Sequence, residues 1–145
     1  MQIKKHSGIY TLTVEQELNL SLSEAWKFFS SPDNLARITP SEMGFKITSG
    51  PSEKAYPGQI ITYRVGILPF IKSNWVTEIT NVKHESFFID EQRFGPYVMW
   101  HHEHWFEALP NGKTLMKDKV SYKLPFAILG HLAHFIFIKK KLTQI

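Results

Sequence analysis

The sequence predicts one α+β domain, in which a curved antiparallel sheet wraps around a long C-terminal helix. Three patterns indicate this fold: an N-terminal strand followed by two short helices, then about six strand-like segments, then a long helical segment. An antiparallel sheet needs a cover on one face, and the last helix is the element available to provide it. We therefore expect a pocket between the sheet and the helix.

The N-terminal elements are indicated by alternation and by capping residues. Residues 11–20 alternate between apolar and polar side chains, as a half-buried strand does. Ser21 or Ser23 can then cap a short helix, because a serine side chain accepts a hydrogen bond from the first helical turn. A second short helix, residues 34–38, is expected to end before Pro40, which cannot continue it.

The middle of the chain follows a strand pattern throughout. The predicted strands are residues 43–50, 58–67, 73–82, 85–93, 97–109 and 113–124. The strongest turn signal between them is Pro110-Asn111-Gly112, which predicts a tight hairpin. Because no linker or repeat divides the chain, residues 1–145 are expected to form one domain.

The segment after Pro125 has the pattern of one helix, with lysines at 139–141 near its end. Its apolar stretch is shorter than the roughly 20 residues that span a bilayer. Its apolar positions go nearly all the way round the helix, so one sheet face cannot cover them all. We therefore expect a homodimer or transient contact with an anionic membrane surface.

The composition narrows the classes of function. The chain is 43% hydrophobic and 21% charged, as folded proteins are. Its net charge of +4 is spread along the sequence without a phosphate loop or a recognition-helix motif, so nucleic-acid binding is not expected. The chain has no cysteine, which excludes disulfides and thiol nucleophiles. Since the first ten residues also lack the apolar run of a signal peptide, we expect a cytoplasmic protein.

Several stretches resemble one superfamily. They are FFSSPDNLARITP (28–40), GQIITYRV (58–65), NWVTEI (74–79), FIDEQRFGPYVMWHHEHWFE (88–107) and KDKVSYKLPF (117–126). In this order they resemble the START-like superfamily, also called SRPBCC or helix-grip, and in particular its bacterial stand-alone branch, sometimes labelled cell-division inhibitors. The resemblance implies a cavity for a hydrophobic or amphipathic molecule, because relatives include lipid carriers, coenzyme Q-binding proteins and polyketide cyclases.

The segment WHHEHWFE (100–107) contains three histidines, two glutamates and two tryptophans. Folding it onto residues 113–124 about the predicted turn gives a register with four inward pairs: Phe106–Met116, His104–Asp118, His102–Val120 and Trp100–Tyr122. The opposite face then carries Glu103 beside Lys119, a pair that belongs in water. We therefore expect His102 and His104 to point inward, and His101 and Glu103 to point outward.

The inward histidines raise the question of a metal. With Asp90 and Asp118 from neighbouring strands they form a set that is compatible with zinc or iron. A buried histidine beside an aspartate is, however, more often a structural pair, since buried polar groups need partners. We therefore expect a His104–Asp118 hydrogen bond, no tightly bound metal and no cofactor.

The expected function is non-covalent binding of a small apolar or amphipathic molecule, such as a lipid, an isoprenoid quinone, a sterol or a polycyclic phenol. The expected ligand contacts are Tyr63, Trp75, Thr77, Phe88, Asp90, Gln92, Trp100, His102, His104, Phe106, Asp118, Val120 and Tyr122. The alternative is a cyclase or dehydratase that uses His104 and Asp118 as an acid/base pair with Tyr122 nearby. A third hypothesis, a regulatory module of cell division, rests on the family label alone.

Overall fold

The computed structural model describes residues 1–39, 41–68 and 70–125 of the chain. Their main element is an eight-stranded sheet in which every neighbouring pair of strands is antiparallel, in the order β1-β2-β8-β7-β6-β5-β4-β3. The strands are β1 Gln2–His6, β2 Ile9–Leu18, β3 Lys46–Ile47, β4 Ile60–Leu68, β5 Ile71–Lys83, β6 Phe87–Phe94, β7 Met99–Ala108 and β8 Thr114–Lys123. The predicted helix after Pro125 lies outside the described residues.

Two short helices connect β2 to β3. Helix α1, Leu22–Phe29, begins with a capping box, in which Ser21 accepts from the backbone of Glu24 and the Glu24 side chain accepts from the backbone of Ser21. Helix α2, Leu35–Ile38, follows a 3-10 turn. None of the helices in the described residues is long and apolar enough to cross a bilayer.

Most predicted strands are confirmed, with two differences at the sheet edges. Strand β1 was not predicted, because QIKKH is an edge strand with mostly exposed side chains and so lacks an apolar face. The prediction of a strand over 43–50 was wrong in extent. Only Lys46–Ile47 pairs with β4, because a 3-10 turn ends at Met43 and Gly44 takes a positive φ of 57°.

The register of the β7–β8 hairpin is the predicted one. Phe106 faces Met116, His104 faces Asp118, His102 faces Val120 and Trp100 faces Tyr122. Glu103 pairs with Lys119 on the outer face, their charged atoms 3.1 Å apart. The histidine-rich segment is therefore divided between two faces, as strand alternation predicts.

The core forms two clusters on the inner face of the sheet. One lies under α1, where the Trp26 ring meets Phe88 and Phe106 edge-on, with centroids 6.0 and 5.5 Å away. The other is rich in aromatic side chains: Tyr10, Trp75, Tyr97, Trp100 and Tyr122. The register of β5 and β6 shifts between Val76 and Thr77 and again between Ile79 and Asn81, and such bulges bend a strand.

Candidate ligand cavity and its histidine–aspartate cluster

A cavity of about 350 Å³ lies between the inner face of the sheet and the segment that carries α1 and α2. Its apolar wall includes Leu12, Val14, Phe29, Leu35, Ile38, Ile61, Ile79 and Met116. A stripe of polar residues crosses the five adjacent strands β4–β8 and consists of Tyr63, Thr77, Asp90, His102, His104 and Asp118, and further polar residues of the lining are Gln16, Ser30, Ser31 and Thr39. The wall thus combines a broad apolar surface with a polar stripe across the sheet, which is the usual composition of a small-molecule site.

The predicted ligand contacts divide into two groups. Tyr63, Thr77, Phe88, Asp90, His102, His104 and Asp118 line the cavity. Trp75, Trp100, Val120 and Tyr122 belong to the aromatic cluster beside it, and Phe106 packs against Trp26. Gln92 holds the loop before β7, since its side-chain amide donates to the Tyr97 carbonyl and accepts from the Tyr97 backbone. Ligand contact stays a prediction for both groups.

The polar stripe centres on a cluster of two histidines and two aspartates. Strand β7 carries His102 and His104, and its neighbours β8 and β6 supply Asp118 and Asp90. Oδ1 of Asp118 lies 3.0 Å from both His102 Nε2 and His104 Nδ1. Oδ2 of Asp90 lies 2.8 Å from His104 Nε2 and 3.8 Å from His102 Nδ1. The predicted proximity of His104 and Asp118 is therefore observed, and Asp90 is a second partner.

The electrostatics of His104 follow from this geometry. Burial by itself lowers the pKa of His104, but the hydrogen bonds and charges of Asp118 and Asp90 outweigh burial and raise it to about 9. Burial likewise raises the pKa of the Asp118 carboxyl, but hydrogen bonds from His102 and His104 outweigh it, so the pKa lies far below its ordinary value. With the cavity empty, His104 is therefore protonated at neutral pH and lies between the carboxylates of Asp118 and Asp90.

Aromatic rings fix the position of the imidazole rings. The Phe88 ring is stacked on His104 with a centroid distance of 4.1 Å and an interplanar angle of 14°. The two imidazole centroids are 3.7 Å apart. The strand register and the stacked Phe88 ring therefore place the two imidazole rings side by side on the cavity wall.

A hydroxyl pair continues the polar stripe toward β4. Oη of Tyr63 lies 3.0 Å from Oγ1 of Thr77. Burial, together with the nearby charge of Asp90, raises the pKa of Tyr63 well above its ordinary value, so its hydroxyl stays neutral. This pair offers a ligand both hydrogen-bond donors and acceptors.

The chemistry open to the cluster depends on which nitrogens are free. A general base needs an available lone pair, and both nitrogens of His104 face carboxylate oxygens within 3.0 Å. Tyr122, the third member of the alternative acid/base set, is fully buried beside Tyr10 in the aromatic cluster. One coordinating atom from each of Asp90, His102 and His104 lies within 4.8 Å of the other two, close enough to hold a metal ion.

The predicted ligand contacts include no residue from the helical side of the cavity. Phe29, Leu35, Ile38 and Thr39 line it from α1, α2 and the residue that follows. The signal was present, because short helices placed over a sheet must direct apolar side chains toward it. Gln16 also lines the cavity, and the alternation of β2 puts it on the same face as Leu12 and Val14.

Comparisons with known proteins show the fold. A START superfamily protein from Mycobacterium smegmatis superposes with a TM-score of 0.66 at 9% identity, over 92% of this chain and 90% of that one. The ginseng major latex-like protein 151 from Panax ginseng gives 0.63 at 12% identity, over 94% and 96%. A protein from Arthrobacter aurescens gives 0.68 at 12% identity, over 99% and 85%.

No protein-family model matches the sequence, and no curated protein matches it either. The structural likeness nevertheless covers nearly the whole chain, and it shows a START-like, SRPBCC fold. The predicted α+β class and the predicted superfamily resemblance are both confirmed at the level of the fold. The narrower resemblance to the bacterial stand-alone branch stays a prediction.

Proposed function

We propose that the protein binds a small amphipathic molecule non-covalently in the cavity, with an apolar body against the helical side and a neutral hydroxyl or phenol as its polar head. The observation that carries this is the composition of the wall, in which the polar stripe on β4–β8 adjoins a broad apolar surface. A volume of about 350 Å³ lies at the lower end of the range for ligand sites. It suits a compact body such as two fused rings.

The charge of the stripe favours a neutral head over an anionic one. Among the described residues, the ion pairs of Asp90 and Asp118 involve only His102 and His104. An anionic head would therefore approach two carboxylates, and like charges in a desolvated site are costly. A hydroxyl can instead donate to a carboxylate oxygen or to the Tyr63–Thr77 pair.

A matched pair of compounds tests this proposal. 2-Naphthol and 2-naphthoate share one apolar body but differ in the charge of the head at neutral pH. In EDTA, isothermal titration calorimetry should show 2-naphthol binding at least about tenfold more tightly, a difference of about 1.4 kcal/mol. Equal or reversed affinities would remove the head-group assignment. If 2-naphthol, decanol, menadione and cholesterol all fail to bind, the binding function itself is refuted.

Two neighbouring substitutions on β2 localise the binding site. The side chain of Val14 lines the cavity, whereas that of Thr13 lies on the opposite face of the same strand. Val14→Trp should fill the cavity and lower the affinity for 2-naphthol at least about tenfold. Thr13→Trp, with the same added bulk, should leave the affinity unchanged. Equal effects of the two substitutions would place the bound compound elsewhere.

Further parts of the proposal rest on the sequence. Homodimer formation and transient contact with anionic membranes follow from the composition of residues 126–145, which lie outside the described residues. A cytoplasmic location is consistent with the absence of cysteine. The cell-division hypothesis has no support beyond the family label.

A further inference from the structure

The four side chains of the histidine–aspartate cluster are arranged in two layers. Asp118 faces one nitrogen of each histidine, His102 Nε2 and His104 Nδ1, at 3.0 Å. The remaining nitrogens, His102 Nδ1 and His104 Nε2, both face Asp90 Oδ2, at 3.8 and 2.8 Å. Asp118 therefore faces one nitrogen of each imidazole ring, and the other nitrogen of each ring faces Asp90.

The hydrogen bonds constrain the tautomer of His102. An ionised carboxylate only accepts hydrogen bonds, so Asp118 holds a proton on His102 Nε2, and its Oδ1 also lies 3.0 Å from His104 Nδ1. The lone pair of a neutral His102 then lies on Nδ1, which faces Asp90, and His104 Nε2 is hydrogen-bonded to the same Asp90 oxygen. A histidine that donates one N–H to a carboxylate and directs its other nitrogen at a shared point has the geometry of a metal ligand with its supporting partner.

The distances among the three converging atoms fit one ion. Ligand atoms bonded to a single ion at ~2.1 Å lie roughly 3.0 to 3.4 Å apart in octahedral or tetrahedral geometry. The distances of 2.8 and 3.8 Å from Asp90 Oδ2 bracket that range, and all three atoms lie within 4.8 Å of one another. Small side-chain rotations are therefore enough to accommodate an ion.

The charge of the cluster also fits a dication. Asp90 and Asp118 place two carboxylates on the cavity wall, both facing the two histidines. Within the described part of the chain, the ion pairs of these carboxylates involve no lysine or arginine. A divalent ion can therefore balance the charges of the two carboxylates.

We infer that Asp90 Oδ2, His102 Nδ1 and His104 Nε2 bind a divalent transition-metal ion of the zinc, iron(II) or cobalt(II) class, and that Asp118 is the positioning residue for both imidazole rings. The sequence-based expectation of no metal assumed that Asp118 would satisfy the histidines. The geometry shows that Asp118 engages only one nitrogen of each ring. Three protein ligands leave at least one coordination position, and the cluster lines the cavity.

This inference concerns the same cavity as the proposed function but does not depend on it. Metal binding is measured with the metal alone, and 2-naphthol binding is measured in EDTA, so either result can fail while the other stands. A bound dication would also neutralise the carboxylate charge that the ligand head meets. Saturating zinc should therefore raise the affinity for 2-naphthoate more than that for 2-naphthol.

The primary experiment is a cobalt titration of protein dialysed against EDTA and then against metal-free buffer. Visible absorption should show the d–d bands of cobalt(II) in a coordination site of low symmetry, and these bands should saturate at about one ion per chain. Calorimetry with zinc chloride should give the same stoichiometry. No saturable spectrum together with no zinc binding in the wild type would overturn the inference.

Matched variants assign the ligands. Asp90→Asn and His102→Ala should each weaken zinc binding by at least about a hundredfold, and Asp118→Asn by roughly 10- to 100-fold, as is typical for supporting partners of metal ligands. His101→Ala, which removes the outward histidine of the same strand, should leave the affinity unchanged. Zinc binding that is equal in the wild type and in folded His102→Ala would place the ion elsewhere and refute the site. If a ligand variant does not fold by circular dichroism, the comparison between Asp118→Asn and His101→Ala decides in its place.

Discussion

Phe88 connects the apolar core to the polar stripe of the cavity. One side of its ring is stacked on His104, and it also meets Trp26 and Phe106 in the cluster under α1. The side chain is 6% exposed. Removing it would open a void between the core and the cluster and would release one face of the His104 ring.

We therefore predict that Phe88→Ala lowers the free energy of unfolding by about 3–5 kcal/mol, the usual cost of a large-to-small change at a buried phenylalanine. The matched control is Phe94→Ala on the same strand, where the side chain is 75% exposed, and its effect should stay within about 0.5 kcal/mol. Urea unfolding followed by circular dichroism measures both values. Similar losses in the two variants would contradict the assigned packing.

The His104–Asp118 pairing was predictable from the sequence, whereas the His104–Asp90 pairing was not. The first follows from the Pro110-Asn111-Gly112 turn, which sets the register of β7 on β8. The second requires the register of β6 on β7, where the pair nearest the turn is Glu91–His101, so that residues 92–100 separate the paired residues and no tight-turn signal sets the register. Asp90 could be assigned to a neighbouring strand, but its distance from each histidine nitrogen could not be derived.

At the scale of elements, the capping box of α1 is an example of a local signal that the structure confirms. Ser21 caps the helix, and the carboxylate of Glu24 accepts from both the backbone and the hydroxyl of Ser21. These hydrogen bonds lower the pKa of Glu24. The contribution of Glu24 to stability is therefore fully present above the ordinary carboxyl pKa of 4.5, and it is lost as the pH falls through the lower folded value.

Ser21→Ala should lower the free energy of unfolding by about 1 kcal/mol near neutral pH, as the loss of an N-cap usually does. The difference from wild type should shrink at acid pH, because protonated Glu24 no longer serves as the ionised acceptor. Ser49→Ala is the control, since Ser49 is exposed and the described residues give its side chain no hydrogen bond. A loss at Ser21 that stays constant down to pH 2–3, or an equal loss at Ser49, would contradict this role of the capping box.

The two edge strands show where element prediction from sequence fails. Alternation identifies a strand only when one face is buried, and β1 is mostly exposed on both faces at the end of the sheet. The segment 43–50 has apolar residues in strand-like order. However, the turn that ends at Met43 and the positive φ of Gly44 remove its first half from the sheet.

At the scale of the whole molecule, one long-range pairing determines the topology. Strand β2 pairs with β8, so that Tyr10 faces Tyr122 and Leu18 faces Thr114. No local pattern specifies which strands pair across about a hundred residues, because alternation describes the faces of a strand and not its neighbours. The order of the sheet was accessible only through the superfamily resemblance, and the cavity depends on that order because it draws residues from β2 and from β4–β8.

Ligand binding should be measurable as stability of the whole molecule. A compound that binds only the folded state stabilises it by about 2.7 kcal/mol at a hundred times its Kd. For a chain of 145 residues that corresponds to a rise in Tm of roughly 5–10 °C. We predict this shift for 2-naphthol in EDTA with the wild type and with Thr13→Trp, and little or no shift with Val14→Trp at the same concentration. Differential scanning calorimetry over a concentration series measures it. A shift of equal size in Val14→Trp would mean that the compound stabilises the protein from outside the cavity.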